Sequence, residues 1–363
     1  MANEKKTVRE PSFILALVPI VAMIGFMLYC FRGHSETGYH DAHLPLVMSI
    51  IVACIVGFIC GHSFQEMLAG MVERLAASME AVLILATVGF LVTSFMLSGA
   101  IPTMIVYGLD LLTPKLFLPV GCILCAIVGM ACGSSWTTTA TIGLAFLGIG
   151  AGLGIPAPIT AGMIISGAYV GDKFSPLSDT TNLAAAVAET GLFDHVTAMV
   201  STTGPTLLLS LILYTILGLN VDTSAYDATV AEGIQEAFRS AFTISPILLL
   251  PIIVVIVMCI LRVPGLVGIA VSVATAVVFM LIFQSTDIFY SYSLGDIFDV
   301  LHYGHAVETG NAVADSILGK AKGMDGMMWT INLILVALAY GGALERCGCI
   351  EKLFGGLKHK IHS

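Results

Sequence analysis

The chain has 363 residues, of which 57% are hydrophobic and 11% charged, with a net charge of −9. A soluble domain carries roughly 25% charged residues, so the composition excludes an ordinary globular protein. The acidic balance argues against nucleic acid as a partner, because no basic face exists to neutralise phosphates.

Stretches free of Asp, Glu, Lys and Arg cover 11–31, 44–61, 81–109, 116–171, 196–221, 240–261, 263–286 and 326–344. Each reaches the length of about 18 residues or more that an α-helix needs to cross the bilayer. The fold class is therefore an all-α polytopic membrane protein with the lipid bilayer as its solvent. The N-terminal tail, residues 1–12, carries Lys5, Lys6 and Arg9 and stays cytoplasmic by the positive-inside rule. The first span (11–31) leads out to a solvated loop holding His34, His40, Asp41 and His43. The second (44–61) returns to an amphipathic stretch, 62–80, at the interface. The third (81–101) exits and closes on Ser98-Gly99-Ala100-Ile101-Pro102.

As a single helix, 116–171 would measure roughly 80 Å, far more than one bilayer. It reads instead as a re-entrant hairpin over 117–155 that dips in from outside, with its tip near Ser134. Non-helical backbone at membrane depth is tolerated only against protein or a water-filled cavity, so a Ser/Thr tip points to a binding cavity. A broken helix, 157–190, then crosses inward, interrupted over 171–182. Span 196–219 exits into an acidic external linker, 221–240. Spans 241–261 and 263–286, an amphipathic stretch 294–325 and a span 326–344 follow. The tail with Arg346, Lys352, Lys358 and Lys360 is cytoplasmic.

Segments 63–102 and 293–345 each run from an amphipathic helix into a charge-free span closed by a Gly-Ala-aliphatic step. Two copies entered from opposite sides form an inverted repeat, a transporter architecture with its site at discontinuous helices. The first repeat occupies 13–220 and an incomplete second one 241–363. Aligning Gly99 with Gly342 places the counterparts of Ser134 and Asp179 beyond Ser363, so the isolated chain is expected to lack half of the site.

Gly171 to Asn182 concentrates the chemistry. Ionised groups at the bilayer centre cost about 3 kcal/mol or more, so they mark function. Asp172, Ser175, Ser178, Asp179, Thr180, Thr181 and Asn182 are the candidate ion- and proton-binding residues, because a hard cation prefers oxygen ligands. A carboxylate in low dielectric holds its proton more tightly, so proton and cation compete for it. Ser134, Ser135, Thr137, Thr138, Lys173 and Glu345 are candidates for the substrate cavity. The blander reading makes Asp172 and Lys173 solvated charges and Asp179 the N-cap of a helix from Thr180. The hairpin hydroxyls then bond within a packed helix pair, and Glu345 simply ends a helix at the water interface. His302, His305 and Glu308 share a helix face as a loose metal pattern, for which an interfacial polar face is the better reading. Ser134 and Ser135 have no nearby histidine and no HExxH exists, so the chain is not read as an enzyme and no cofactor is expected.

Gly171-Asp172-Lys173-Phe174-Ser175-Pro176-Leu177-Ser178-Asp179-Thr180-Thr181-Asn182-Leu183-Ala184 resembles the signature of the NhaC-type sodium/proton antiporter family. Gly133-Ser134-Ser135-Trp136-Thr137-Thr138-Thr139-Ala140-Thr141-Ile142-Gly143 is similar to the family's hairpin segment. Glu308-Thr309-Gly310-Asn311 and Gly341-Gly342-Ala343-Leu344-Glu345 are also family-like. The resemblance runs from about residue 10 to the end, without the family's C-terminal quarter. It implies an inverted-repeat ion-transporter fold, exchange of sodium for protons across the plasma (inner) membrane, and pH homeostasis. Sodium ions and protons are then cargo rather than cofactors, and a homodimer is compatible with the fold. Two alternatives stand beside this one: sodium/proton-coupled exchange of a small hydroxy acid such as malate or lactate, and an inactive truncated transporter.

Overall fold

The computed structural model describes residues 8–32, 41–132, 135–175, 178, 180–181, 184–185, 190–220, 228–261, 263–284, 294–319 and 321–361. Every regular element among them is a helix. In chain order these are α1 (Phe13–Phe31), α2 (His43–Ile59), α3 (Phe64–Ala77), α4 (Met79–Leu97), α5 (Ala100–Leu111) and α6 (Pro114–Cys132). A short α7 (Ser135–Thr138) runs through a π-turn (Thr139–Gly143) into α8 (Leu144–Gly152), and α9 (Ala157–Phe174) follows. The remainder are α10 (Leu192–Leu219), α11 (Ala228–Ala241), α12 (Leu250–Ile260), α13 (Gly265–Phe283), α14 (Leu294–Tyr303), α15 (Ala312–Leu318), α16 (Asp325–Arg346) and α17 (Cys349–Ile361). Among the described residues, α1, α10, α13 and α16 are each long and apolar enough to cross a membrane, and up to six spans result if bent pairs count as one. Leu208, Leu209, Ile212, Leu213 and Ile216 lie exposed along α10, an apolar surface suited to lipid rather than water.

The chain forms two compact units, Met1–Leu85 with Met328–Ser363, and Ala86–Met327. In the first, local chemistry sets the helix starts. The Ser12 hydroxyl accepts from Leu15 N at 3.3 Å. Ser63 and Glu66 form a reciprocal capping box, 2.7 and 3.3 Å, at the head of α3. The core gathers Ala16, Ala53, Val56, Met67, Tyr340, Ala343 and Cys347, and Tyr340 donates to Pro19 O at 3.0 Å. α3 and α16 cross at Gly70 and Gly342, where a Cβ on Gly342 would stand 2.6 Å from Gly70 O.

The second unit is built on α6 and α9. A Cβ on Gly167 would lie 2.3 Å from Cys122 O, one on Gly171 2.2 Å from Ala126 O, and one on Gly129 2.7 Å from Ala168 O. These glycines let two backbones touch, the usual device where lipid supplies no hydrophobic drive between helices. α7, the π-turn and α8 also pack along α9.

Several expectations change. The supposed external linker 221–240 contains helix α11 over Ala228–Ala241, while 221–227 fall outside the described residues. Its charges hid an apolar stripe: Ile234 and Phe238 are fully buried, and Gln235 Nε2 donates to Val106 O (3.1 Å) and Asp110 Oδ1 (2.8 Å) on α5. The polar hairpin segment is helical from Ser135 onward rather than irregular, and its hydroxyls find their partners within their own turn. Thr139 Oγ1 donates to Ser135 O at 2.8 Å and Thr141 Oγ1 to Thr137 O at 2.7 Å. α14 ends at Tyr303, so His305 and Glu308 share no helix face with His302. No group of three metal-type ligands occurs among the described residues.

Candidate functional site

The signature segment begins inside α9. Gly171 was expected to open the break, but it is the contact glycine that seats α9 on α6, and Asp172 follows it into the buried face at 5% exposure. The helix ends at Phe174, and Ser175 turns extended at φ −83°, ψ 124°. The cause is readable in the sequence, since a residue before proline is pushed out of the helical region, and Pro176 follows. Ser175 N still reaches Asp172 O at 3.2 Å, closing the last turn.

The chain then folds back over the same carboxylate. Ser178 N donates to Ser175 O at 3.3 Å, and the Ser178 hydroxyl accepts from Thr181 N at 3.3 Å. Ser178 thus caps the turn that follows it, and the Asp179 N-cap reading lies outside the described residues. Thr180 Oγ1 is the hub: Lys173 Nζ donates to it at 2.9 Å, Ser178 Oγ lies 3.0 Å away, and Thr180 donates to Asp172 Oδ2 at 3.3 Å. Lys173 Nζ also pairs with Asp172 Oδ2 at 3.9 Å, and Thr181 Oγ1 donates to Asp172 O at 3.3 Å. Asp172, Lys173, Ser178, Thr180 and Thr181 therefore form one connected cluster, with buried Ser175 at its edge. Asp179 and Asn182 lie outside the described residues.

Chemically the cluster joins one carboxylate, three hydroxyls and a main-chain carbonyl, with the Lys173 ammonium against Thr180 Oγ1 and Asp172 Oδ2. The oxygens that hold Lys173 are of the kind that coordinates a hard monovalent cation. With Asp172 7% exposed at its side chain and Lys173 34% exposed, the lysine is the movable partner.

Of the cavity candidates, Ser135, Thr137 and Thr138 are buried on α7, which packs on both α6 and α9. Ser134 lies outside the described residues. The adjoining π-turn is a local irregularity of the kind that frequently accompanies function. Glu345 belongs to the other unit. There it pairs with Arg74 at 4.0 Å and lines a cavity of about 510 Å³ with His62, Glu73, Arg74 and Arg346. At 64% side-chain exposure that ion pair is weak.

A second irregular stretch within 304–324 went unread as one. Asp315 accepts from both Thr309 N and Thr309 Oγ1 at 2.7 Å, and Asn311 caps α15 through Val313 N and Ala314 N. Gly323 N donates to Thr93 Oγ1 of α4 at 2.9 Å. The available signal was the run of glycines, since Gly304, Gly310 and Gly323 all take positive φ.

Comparison with known proteins sets the chain beside membrane antiporters. Residues 167–363 match the family model described as Na+/H+ antiporter family. The Na(+)/H(+) antiporter NhaC of Alkalihalophilus pseudofirmus is 34% identical over 323 residues, 89% of this chain and 68% of that protein. The arginine/ornithine antiporter ArcD of Halobacterium salinarum is 35% identical, covering 94% and 69% of the two chains. The malate-2H(+)/Na(+)-lactate antiporter of Bacillus subtilis is 31% identical, covering 99% and 74%. No solved structure matches the chain.

Proposed function

The chain belongs to the Na+/H+ antiporter family, and from that membership we propose that this multi-pass membrane protein exchanges sodium for protons, with Asp172 at the centre of the ion site. The observation that carries the reading is the Asp172–Lys173–Ser178–Thr180 cluster at the break of α9. Sodium entering among these oxygens displaces the Lys173 ammonium and takes its place beside an ionised Asp172. A proton arriving on Asp172 removes the charge that holds sodium, and the ion leaves. One carboxylate serving two cations in turn is sufficient for antiport. The buried Ser135, Thr137 and Thr138 of α7, which packs on α9, are the candidate cavity hydroxyls, and Asp179 and Asn182 are further candidate oxygen ligands from the sequence. The N-terminal tail stays on the cytoplasmic side of the plasma membrane, by the charge bias read above.

An inverted repeat accounts for a further likeness. α4 stops at Leu97 and α5 restarts at Ala100 across Gly99, φ +80°, while α16 stops at Arg346 and α17 restarts at Cys349 across Gly348, φ +74°. Gly99 N donates to Met96 O and Gly348 N to Glu345 O, at 3.2 and 3.0 Å. Thr103 N and Lys352 N bond back to the two glycine carbonyls at 2.9 and 3.0 Å. The likeness favours pairing Gly99 with Gly348 rather than with Gly342.

Asp172→Asn in reconstituted vesicles tests the proposal. Sodium uptake driven by a pH gradient should vanish while the protein inserts and purifies as before, and uptake at the wild-type rate would remove Asp172 from the mechanism. A second reading, exchange of a small hydroxy acid, is favoured by the malate/lactate relative and by the partly exposed Lys173 ammonium, which can pair with a substrate carboxylate. Counterflow of labelled malate distinguishes the two, because a pure cation exchanger takes up none.

A further inference from the structure

Cys347 and Cys349 flank Gly348 at the junction of α16 and α17, and their Sγ atoms lie 3.1 Å apart. Both are buried, at 1% and 0% exposure, in a cluster that includes Cys60 and Tyr340. A disulfide bond measures about 2.05 Å, so the two sulfurs lie about 1 Å beyond bonding distance. The pair is no fragment of a metal centre, since no group of three metal-type ligands exists among the described residues. It is also unlike Cys122 and Cys125, which lie one helical turn apart on α6.

We propose that Cys347 and Cys349 are a redox-modification site, closed to an intrachain disulfide by a small hydroperoxide. The Cys347 sulfur attacks one oxygen of hydrogen peroxide and the O–O bond breaks. This leaves a sulfenic acid on Cys347, and the departing hydroxide takes up the thiol proton as water. The Cys349 sulfur then displaces the hydroxyl from Cys347, and its own proton leaves with that hydroxyl as a second water. Two thiols lose two electrons and two protons, and the peroxide is reduced to two waters. A small neutral oxidant is required, because both thiols are almost wholly buried and a bulky disulfide has no access to them. The hydrogen bond between Cys347 Sγ and Cys349 Sγ lowers the Cys347 thiol from its ordinary value, against the opposing effect of burial. Closure fixes the break between α16 and α17, and α17 is tied to the N-terminal segment by Lys352 and Glu10 at 3.3 Å.

The sequence supplies a clean assay, because Arg346 and Lys352 bracket a tryptic peptide that holds these two cysteines and no other. Membranes bearing the full chain are treated with hydrogen peroxide, unfolded, alkylated and digested. The peptide should lose both alkyl groups and weigh two hydrogens less than its dithiol form, and a thiol reductant should restore alkylation. Cys349→Ser should instead leave a sulfenic acid on Cys347 that a dimedone-type probe traps. Full alkylation after peroxide would overturn the proposal, as would a bond from Cys347 to Cys60. Equal oxidation rates for native chain and chain unfolded beforehand would also overturn it, since the fold would then contribute nothing.

Discussion

At the scale of single residues, Lys173 occupies the position that the proposal gives to sodium. Its ammonium touches Thr180 Oγ1 at 2.9 Å and faces Asp172 Oδ2 at 3.9 Å, so it competes with the ion for the same oxygens. Lys173→Met should lower the sodium concentration for half-maximal exchange by up to about tenfold, equivalent to ~1.4 kcal/mol. An unchanged or raised half-saturation would show that the lysine does not compete. Asp315 offers a separate test in the second irregular stretch. Hydrogen bonds from the Thr309 amide and hydroxyl hold its carboxyl below the usual carboxylate range. A depressed folded-state value stabilises the fold above the unfolded value and loses that contribution as pH falls through the folded one. Asp315→Asn should therefore lower the melting temperature at neutral pH, and the gap to wild type should close on acidification past about pH 4. A gap independent of pH would assign the loss to packing instead.

At the scale of elements, the α6–α9 pair decides where the carboxylate sits. Gly171 has no room for a side chain, since a Cβ would lie 2.2 Å from Ala126 O and 2.6 Å from Met130 N, both backbone atoms that cannot rotate away. Gly171→Ala should cost about 1–3 kcal/mol as the helices part. It should also impair exchange, because Asp172 moves with the separated turn. A stable variant with full exchange would mean that this close approach does not position the site. The same region marks the boundary of what the sequence disclosed. Pro176 announced the break, and the concentration of Asp, Lys, Ser and Thr between apolar runs announced the site. The role of Gly171 was hidden because a glycine beside a proline motif reads as loop, whereas its purpose depends on a helix some forty residues earlier in the chain. The capping role of Ser178 was hidden in the same way, because Asp179 beside it is an equally good capping type by sequence. α11 was lost for a different reason: its charges dominate a composition count, and its apolar positions Ile234 and Phe238 are too sparse to register as a span.

At the scale of the whole molecule, apolar periodicity and length disclosed the helices, because the bilayer sets one length for every span. They did not disclose the division into Met1–Leu85 with Met328–Ser363 and Ala86–Met327. That division rests on contacts far apart in sequence, such as Tyr340 with Pro19 and Gly342 with Gly70, and no local pattern encodes them. Antiport joins all these scales, since the cluster at Asp172 matters only if the protein moves it between the two sides of the membrane. The most direct test loads vesicles reconstituted with this chain with sodium, dilutes them into sodium-free medium, and follows internal pH. The account predicts acidification of the interior as sodium leaves, absent from empty vesicles and from Asp172→Asn vesicles. A flat trace, the outcome expected if the chain lacks half of the site, would contradict it, as would acidification that persists in Asp172→Asn.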